Sequence, residues 1–147
     1  MSCMTIKNWI LTPLILLSIS CAQNQFKQVE EQNSIPAYQK FLSENPEGKY
    51  AERAQLALDK LQYTQAMETD TIAAYDHYLK HQPKGQYLPE AKDRREDLWY
   101  DSAVKTNSIQ SLDDYMSEYP RGKHLRTAKR QLEELWFSRA KTHQTTE

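Results

Sequence analysis

The stretch NPEGKY, Asn45 to Tyr50, returns as QPKGQY at Gln82 to Tyr87 and as YPRGKH at Tyr119 to His124, each copy thirty-seven residues after the last. The same interval relates Ile35, Ile72 and Ile109; Phe41, Tyr78 and Tyr115; and Ala54, Ala91 and Ala128. It also relates Leu61, Leu98 and Leu135, and Ala66, Ala103 and Ala140. Self-similarity at a fixed period of about 20 to 50 residues marks stacked structural copies, none of which can bury its apolar face alone. Within a copy the apolar spacing is helical. Ile35, Tyr38, Phe41 and Leu42 make one stripe, and Tyr50, Ala54, Leu58, Leu61 and Ala66 make another on a longer segment. No run alternates apolar with polar residues at period two, so the chain reads as all-α.

Each copy is then a helical hairpin, with a shorter helix over 34–45 and a longer one over 50–68. The next pairs fall at 71–82 with 87–105, and at 108–119 with 124–142. Pro46 cannot continue a helix and Gly48 admits left-handed backbone angles, which together turn the chain. At the other loops Asn33-Ser34, Asp70-Thr71 and Asn107-Ser108 offer side-chain oxygens to cap the helix that follows. Pro89 falls in a first turn, where its missing N–H costs nothing. Phe26 and Val29, one interval ahead of Tyr63 and Ala66, predict a short helix that covers the open end of the first hairpin. The chain parses as a leader over 1–20, a linker and partial repeat helix over 21–33, and copies over 34–70, 71–107 and 108–142. A disordered tail over 143–147 completes it.

The leader has its own logic. Lys7 precedes an apolar run from Trp9 to Ile19, broken by Thr12, Pro13 and Ser18, and Ser20-Cys21 follows. That run is about half of the 20 or so residues a spanning helix needs, and it matches a secretory signal peptide. The stretch LSISC resembles the lipobox of bacterial lipoproteins, although Ser18 stands where that family prefers leucine. The resemblance implies cleavage before Cys21 and a diacylglyceryl group on its sulfur. Ala22 after the cysteine, rather than aspartate, implies sorting to the outer membrane, facing the periplasm. Ordinary secretion is the alternative, because Ser20-Cys21-Ala22 also fits a small-x-small cleavage site. Several acyl chains at about 0.8 kcal/mol per buried methylene suffice for stable anchoring. Cys3 and Cys21 are the only cysteines, so a chain beginning at Cys21 has no internal disulfide and folds by core burial alone.

Tyr38, Phe41, Leu42, Pro46, Gly48, Tyr50, Ala54 and Leu61, with their matches in the later copies, resemble tetratricopeptide repeats. The likeness is nearest to BamD-like outer-membrane lipoproteins, in which a YPxSxY-type turn joins the helices, and it covers roughly residues 26 to 142. It implies a right-handed superhelix of three stacked hairpins that recruits protein partners. Two features depart from the family. The period exceeds the usual thirty-four or so, and positions that are small in the family are partly aromatic here.

Candidate chemistry is sparse. His77 and His81 share a helical face, as a metal pair would, but their matches are Lys40 and Glu44, then Asp114 and Glu118, which are outward charges. Asp113-Asp114 and Glu133-Glu134 are adjacent and point apart on a helix. No nucleophile elbow or phosphate loop occurs, and the three glycines fall in the turns. Lys92, Arg94 and Arg95 alternate with Asp93 and Glu96, as Lys129-Arg130 do with nearby acids, which describes a salt-laced solvent face. With 19 basic and 20 acidic side chains overall, no nucleic-acid footprint emerges. The chain therefore reads as a non-enzyme without metal or cofactor. His124, matching Tyr50 and Tyr87, reads as a packed ring. Leu132, Trp136 and Phe137 on the last long helix cannot all face the preceding hairpin. They are expected to form an apolar patch for a protein partner or a second copy of the chain, giving a homodimer through that helix. The leading expectation is a lipid-anchored interaction adaptor; the alternative is a small accessory lipoprotein that packs against another anchored subunit.

Overall fold

The computed structural model describes residues 11–144, with side chains described over 22–142. The described residues form seven helices and no strand: α1 (Leu11–Gln32), α2 (Ile35–Glu44), α3 (Ala51–Thr69), α4 (Ile72–His81), α5 (Leu88–Thr106), α6 (Ile109–Glu118) and α7 (Leu125–Gln144). The all-α reading holds. Short and long helices alternate from α2 onward, as the two apolar stripes predict.

The repeat extends to individual hydrogen bonds. Ser34, Thr71 and Ser108 accept from the backbone N–H groups of Ala37, Ala74 and Ser111, three of the first-turn donors that a helix cannot satisfy itself. At α6 the Ser111 hydroxyl accepts in return from the Ser108 N–H, closing a capping box. Asn33, Asp70 and Asn107 do something different from the capping expected of them. Their φ angles are 41°, 46° and 48°, and their N–H groups return to the carbonyls of Val29, Ala66 and Ala103. They end the preceding helix in the left-handed conformation, which Asn and Asp tolerate better than most residues.

The other loop corrects the expectation placed on Gly48: no described glycine has a positive φ. In that turn the N–H groups of Asn45, Gln82 and Tyr119 reach back to Phe41, Tyr78 and Tyr115. The glycine N–H groups of Gly48, Gly85 and Gly122 then bond the carbonyls of Asn45, Gln82 and Tyr119. Glycine is demanded by space at Gly122, where an added Cβ would stand 2.5 Å from a Glu96 oxygen and 2.7 Å from the Tyr115 hydroxyl.

The chain divides into two compact units, Met1–Thr64 and Gln65–Glu147. In the first, Phe26 of α1, Tyr38 and Phe41 of α2, and Ala54 and Leu58 of α3 form the core. Phe26 stacks on Tyr50 at 4.8 Å between centroids and tilts against Phe41 at 5.3 Å. Arg53 lies 4.9 Å over the Phe26 ring while its guanidinium bonds Glu30 at 2.7 Å. The predicted covering helix therefore exists, but it is longer than expected. α1 is helical through the segment read as a linker, and it passes through Ser20 and Cys21. The Cys21 side chain, on which the lipidation reading rests, and residues 1–10 of the leader lie outside the described residues.

In the second unit α4, α5, α6 and α7 pack consecutively. Ala103, Leu112, Tyr115 and Ala128 are its buried core, with Trp99, Tyr100, Leu132 and Leu135 packed around them. Ala54, Ala91 and Ala128 are each 0% exposed, so at this repeat position any larger side chain would hold neighbouring helices apart. α7 continues to Gln144, so residues 143 and 144 belong to the helix rather than to a tail.

Candidate docking surface on the last long helix

The surface that α7 offers is set by how α5, its counterpart one copy earlier, is used. Arg94, Arg95, Glu96 and Asp97 are consecutive on α5, and each bonds a different neighbour. Arg94 forks onto the Asp70 carboxylate through Nε at 2.9 Å and Nη2 at 2.6 Å, which holds that carboxyl below its ordinary range. Arg95 donates to Asp76 of α4, to Glu118 of α6 at 2.9 Å and to the Tyr119 hydroxyl at 2.9 Å, so one side chain ties three helices. Glu96 accepts from the Tyr115 hydroxyl at 2.9 Å; burial, and then this carboxylate, push that hydroxyl above the ordinary phenol range. Asp97 meets His124 Nε2 at 2.6 Å and Lys123 Nζ at 2.9 Å. Burial pushes Asp97 up, but the bonds from His124 and Lys123 outweigh it and the carboxyl titrates below its usual range. The His124 ring stacks on Tyr100 at 4.3 Å, so it is a packed ring as expected.

These charges are inter-helix ties, which corrects the reading of Arg94 and Arg95 as a solvent face. They also fix a pH dependence. Asp70 and Asp97 bind protons less readily folded than unfolded. Their stabilisation is present above about pH 4, where the unfolded carboxyl ionises, and is lost as pH falls through the lower folded values. Urea unfolding at pH 6 and pH 3 should show Asp97→Asn losing less stability in acid than the parent, by about 1 kcal/mol or less because these groups are partly solvent-screened.

His77 and His81 lie on the exposed surface of α4, their rings stacked at 4.0 Å and His81 Nδ1 2.8 Å from the His77 carbonyl. Among the described residues no group of three or more His, Cys, Asp or Glu side chains is placed to hold a metal ion.

On α7, Ala128 is fully buried and Leu132 and Leu135 pack against the core. Leu132 therefore leaves the patch expected of it. Trp136 and Phe137 remain, 52% and 74% exposed, with the Arg139 guanidinium 6.0 Å from the Trp136 ring centre. Nearer the start of α7 lies an open groove of about 420 Å³ lined by Leu125, Arg126, Lys129, Arg130 and Glu133. Arg126, Arg130, Glu133 and Phe137 recur at helical spacing and share one outward stripe.

The repeat supplies an internal control. Trp136, Phe137 and Ala140 match Trp99, Tyr100 and Ala103 of α5. Ala103 is 4% exposed, and Trp99 and Tyr100 are half-buried against the core that α6 and α7 complete. The Trp99 indole N–H is even enclosed without a hydrogen-bond partner among the described residues. Ala140 is exposed, although its matches Ala66 and Ala103 are buried. The same three positions are thus covered on α5 and open on α7. No protein-family model matches the chain, and no curated protein is significantly similar to it.

Proposed function

We propose that this chain is a lipid-anchored helical-repeat adaptor of the bacterial envelope, held to the outer membrane through Cys21, that binds a protein partner through the outer face of α7. The observation that carries the binding half is the 52% and 74% exposure of Trp136 and Phe137 at positions the preceding copy covers. Aromatic side chains supply large apolar area at little entropic cost and dominate binding hot spots. The anchoring half rests on LSISC and its likeness to a lipobox. Among the described residues no helix is long and apolar enough to cross a membrane. A right-handed superhelix of the three hairpins is the architecture that the tetratricopeptide resemblance adds.

A photo-reactive amino acid in place of Phe137, expressed in intact cells, tests the binding half. The expected result is one discrete adduct of defined mass, lost when Trp136 is also changed to alanine; diffuse or absent adducts contradict it. A mass spectrum of the processed N-terminus tests the other half, with a diacylglyceryl-modified Cys21 expected.

A further inference from the structure

We propose that the outer face of α7 receives a short amphipathic helix followed by an acidic turn, seated as α6 sits on α5. This rests on the reading of α7 as an interaction surface and adds the chemistry of what it binds. The template is within the molecule. α6 inserts Leu112 and Tyr115, both 0% exposed, against α5. Its Ser111 hydroxyl donates to the Ala103 carbonyl at 3.0 Å, and the Tyr115 hydroxyl donates to Glu96. In the turn after α6, Lys123 donates to Asp93 at 2.6 Å and pairs with Asp97.

One repeat later the apolar and accepting groups keep their character: Trp136, Phe137 and Ala140 replace Trp99, Tyr100 and Ala103, and Glu133 and Glu134 replace Glu96 and Asp97. Of the two acids that meet Lys123, Asp97 keeps its charge as Glu134 and Asp93 reverses. Arg130 stands where α5 has Asp93, Arg126 replaces Pro89, and Lys129 replaces Lys92. Among the described residues none of Arg126, Lys129 and Arg130 is in an ion pair, and all three line the open groove. A seated helix followed by a lysine, as in α6, would keep a partner in Glu134 but meet a like charge at Arg130 in place of Asp93, within a surface that also carries Arg126 and Lys129. A helix followed by aspartate or glutamate pairs with Arg130. Such repulsion and pairing select partners as much as they add affinity.

The probe is a synthetic peptide of residues 107–124, in native form and as Lys123→Glu, titrated into the full chain carrying Trp9→Phe and Trp99→Phe so that emission reports Trp136 alone. A ten-residue helix is marginal by itself. Each peptide is therefore also joined to the C-terminus by a flexible Gly/Ser linker, which raises its effective concentration to about the millimolar range. The expected result is a blue shift of Trp136 emission and at least tenfold tighter binding of the glutamate peptide. Arg130→Asp, an exposed substitution, should reverse that preference. Equal binding of both peptides overturns the acidic preference while leaving the docking face intact. No shift even when tethered overturns both. Concentration-dependent self-association of the chain, abolished by Trp136→Ala, assigns the face to a second copy and overturns the proposal.

Discussion

Leu112→Ala is expected to lower the free energy of unfolding by about 3 kcal/mol, the middle of the range for removing a large aliphatic side chain from a packed core. Leu112 is 0% exposed and sits among Ala103, Tyr115 and Ala128, with the rings of Trp99 and Tyr100 packed around them. Its loss leaves a void between helices that contain no cysteine and so no disulfide, and packing has to respond. Collapse into that void is restrained, because Tyr115 is tied to Glu96 and α6 is fixed at its start by the Ser108–Ser111 capping box. The control is Leu56→Ala: Leu56 is 42% exposed, and its truncation should change stability by about 0.5 kcal/mol or less. Urea unfolding followed by helical dichroism measures both, and a loss under about 1 kcal/mol for Leu112→Ala would place α6 elsewhere.

Two glycines at the same repeat position should respond in opposite directions. Gly122→Ala should cost about 1–3 kcal/mol, since its Cβ would meet Glu96 Oε1 at 2.5 Å, the Tyr115 hydroxyl at 2.7 Å and Tyr119 Cβ at 2.8 Å. A carboxylate on a free side chain would swing aside, but Glu96 is held by Tyr115, and a Cβ cannot move without its backbone. Gly48→Ala meets nothing nearer than Asn45 Cβ at 3.5 Å and needs no left-handed backbone. It should be neutral or stabilise by about 0.4–1 kcal/mol, through loss of freedom in the unfolded chain. Thermal unfolding of the two variants side by side gives the sign of each.

What was legible in the sequence is what all copies share. The helix starts at Ser34, Thr71 and Ser108 and the buried alanines at Ala54, Ala91 and Ala128 could be read because the chain states each of them three times. The left-handed ends at Asn33, Asp70 and Asn107 are hidden behind the capping role the sequence suggests for them, because both roles suit the same side chains, and the left-handed angle expected at Gly48 is absent. The polar ties on α5 were illegible for a different reason. Arg94, Arg95 and Asp97 match Ala57, Leu58 and Lys60 in the first copy, so the repeat averages them away. Their partners lie on other helices, where no local spacing reveals them. Ala140 shows the limit of repetition: its match Ala103 is buried where Ser111 of α6 reaches its carbonyl, and identity of residue does not carry that neighbour to α7.

One contrast decides whether α7 offers a free face: a repeat position covered on α5 is open on α7. It is measured by acrylamide quenching of single-tryptophan variants of the full chain, one retaining Trp99 and one Trp136, the others replaced by phenylalanine. Trp99 should give blue-shifted, weakly quenched emission, and Trp136 red-shifted emission quenched several-fold more strongly. Equal quenching of the two would mean that the faces are alike, and would contradict it.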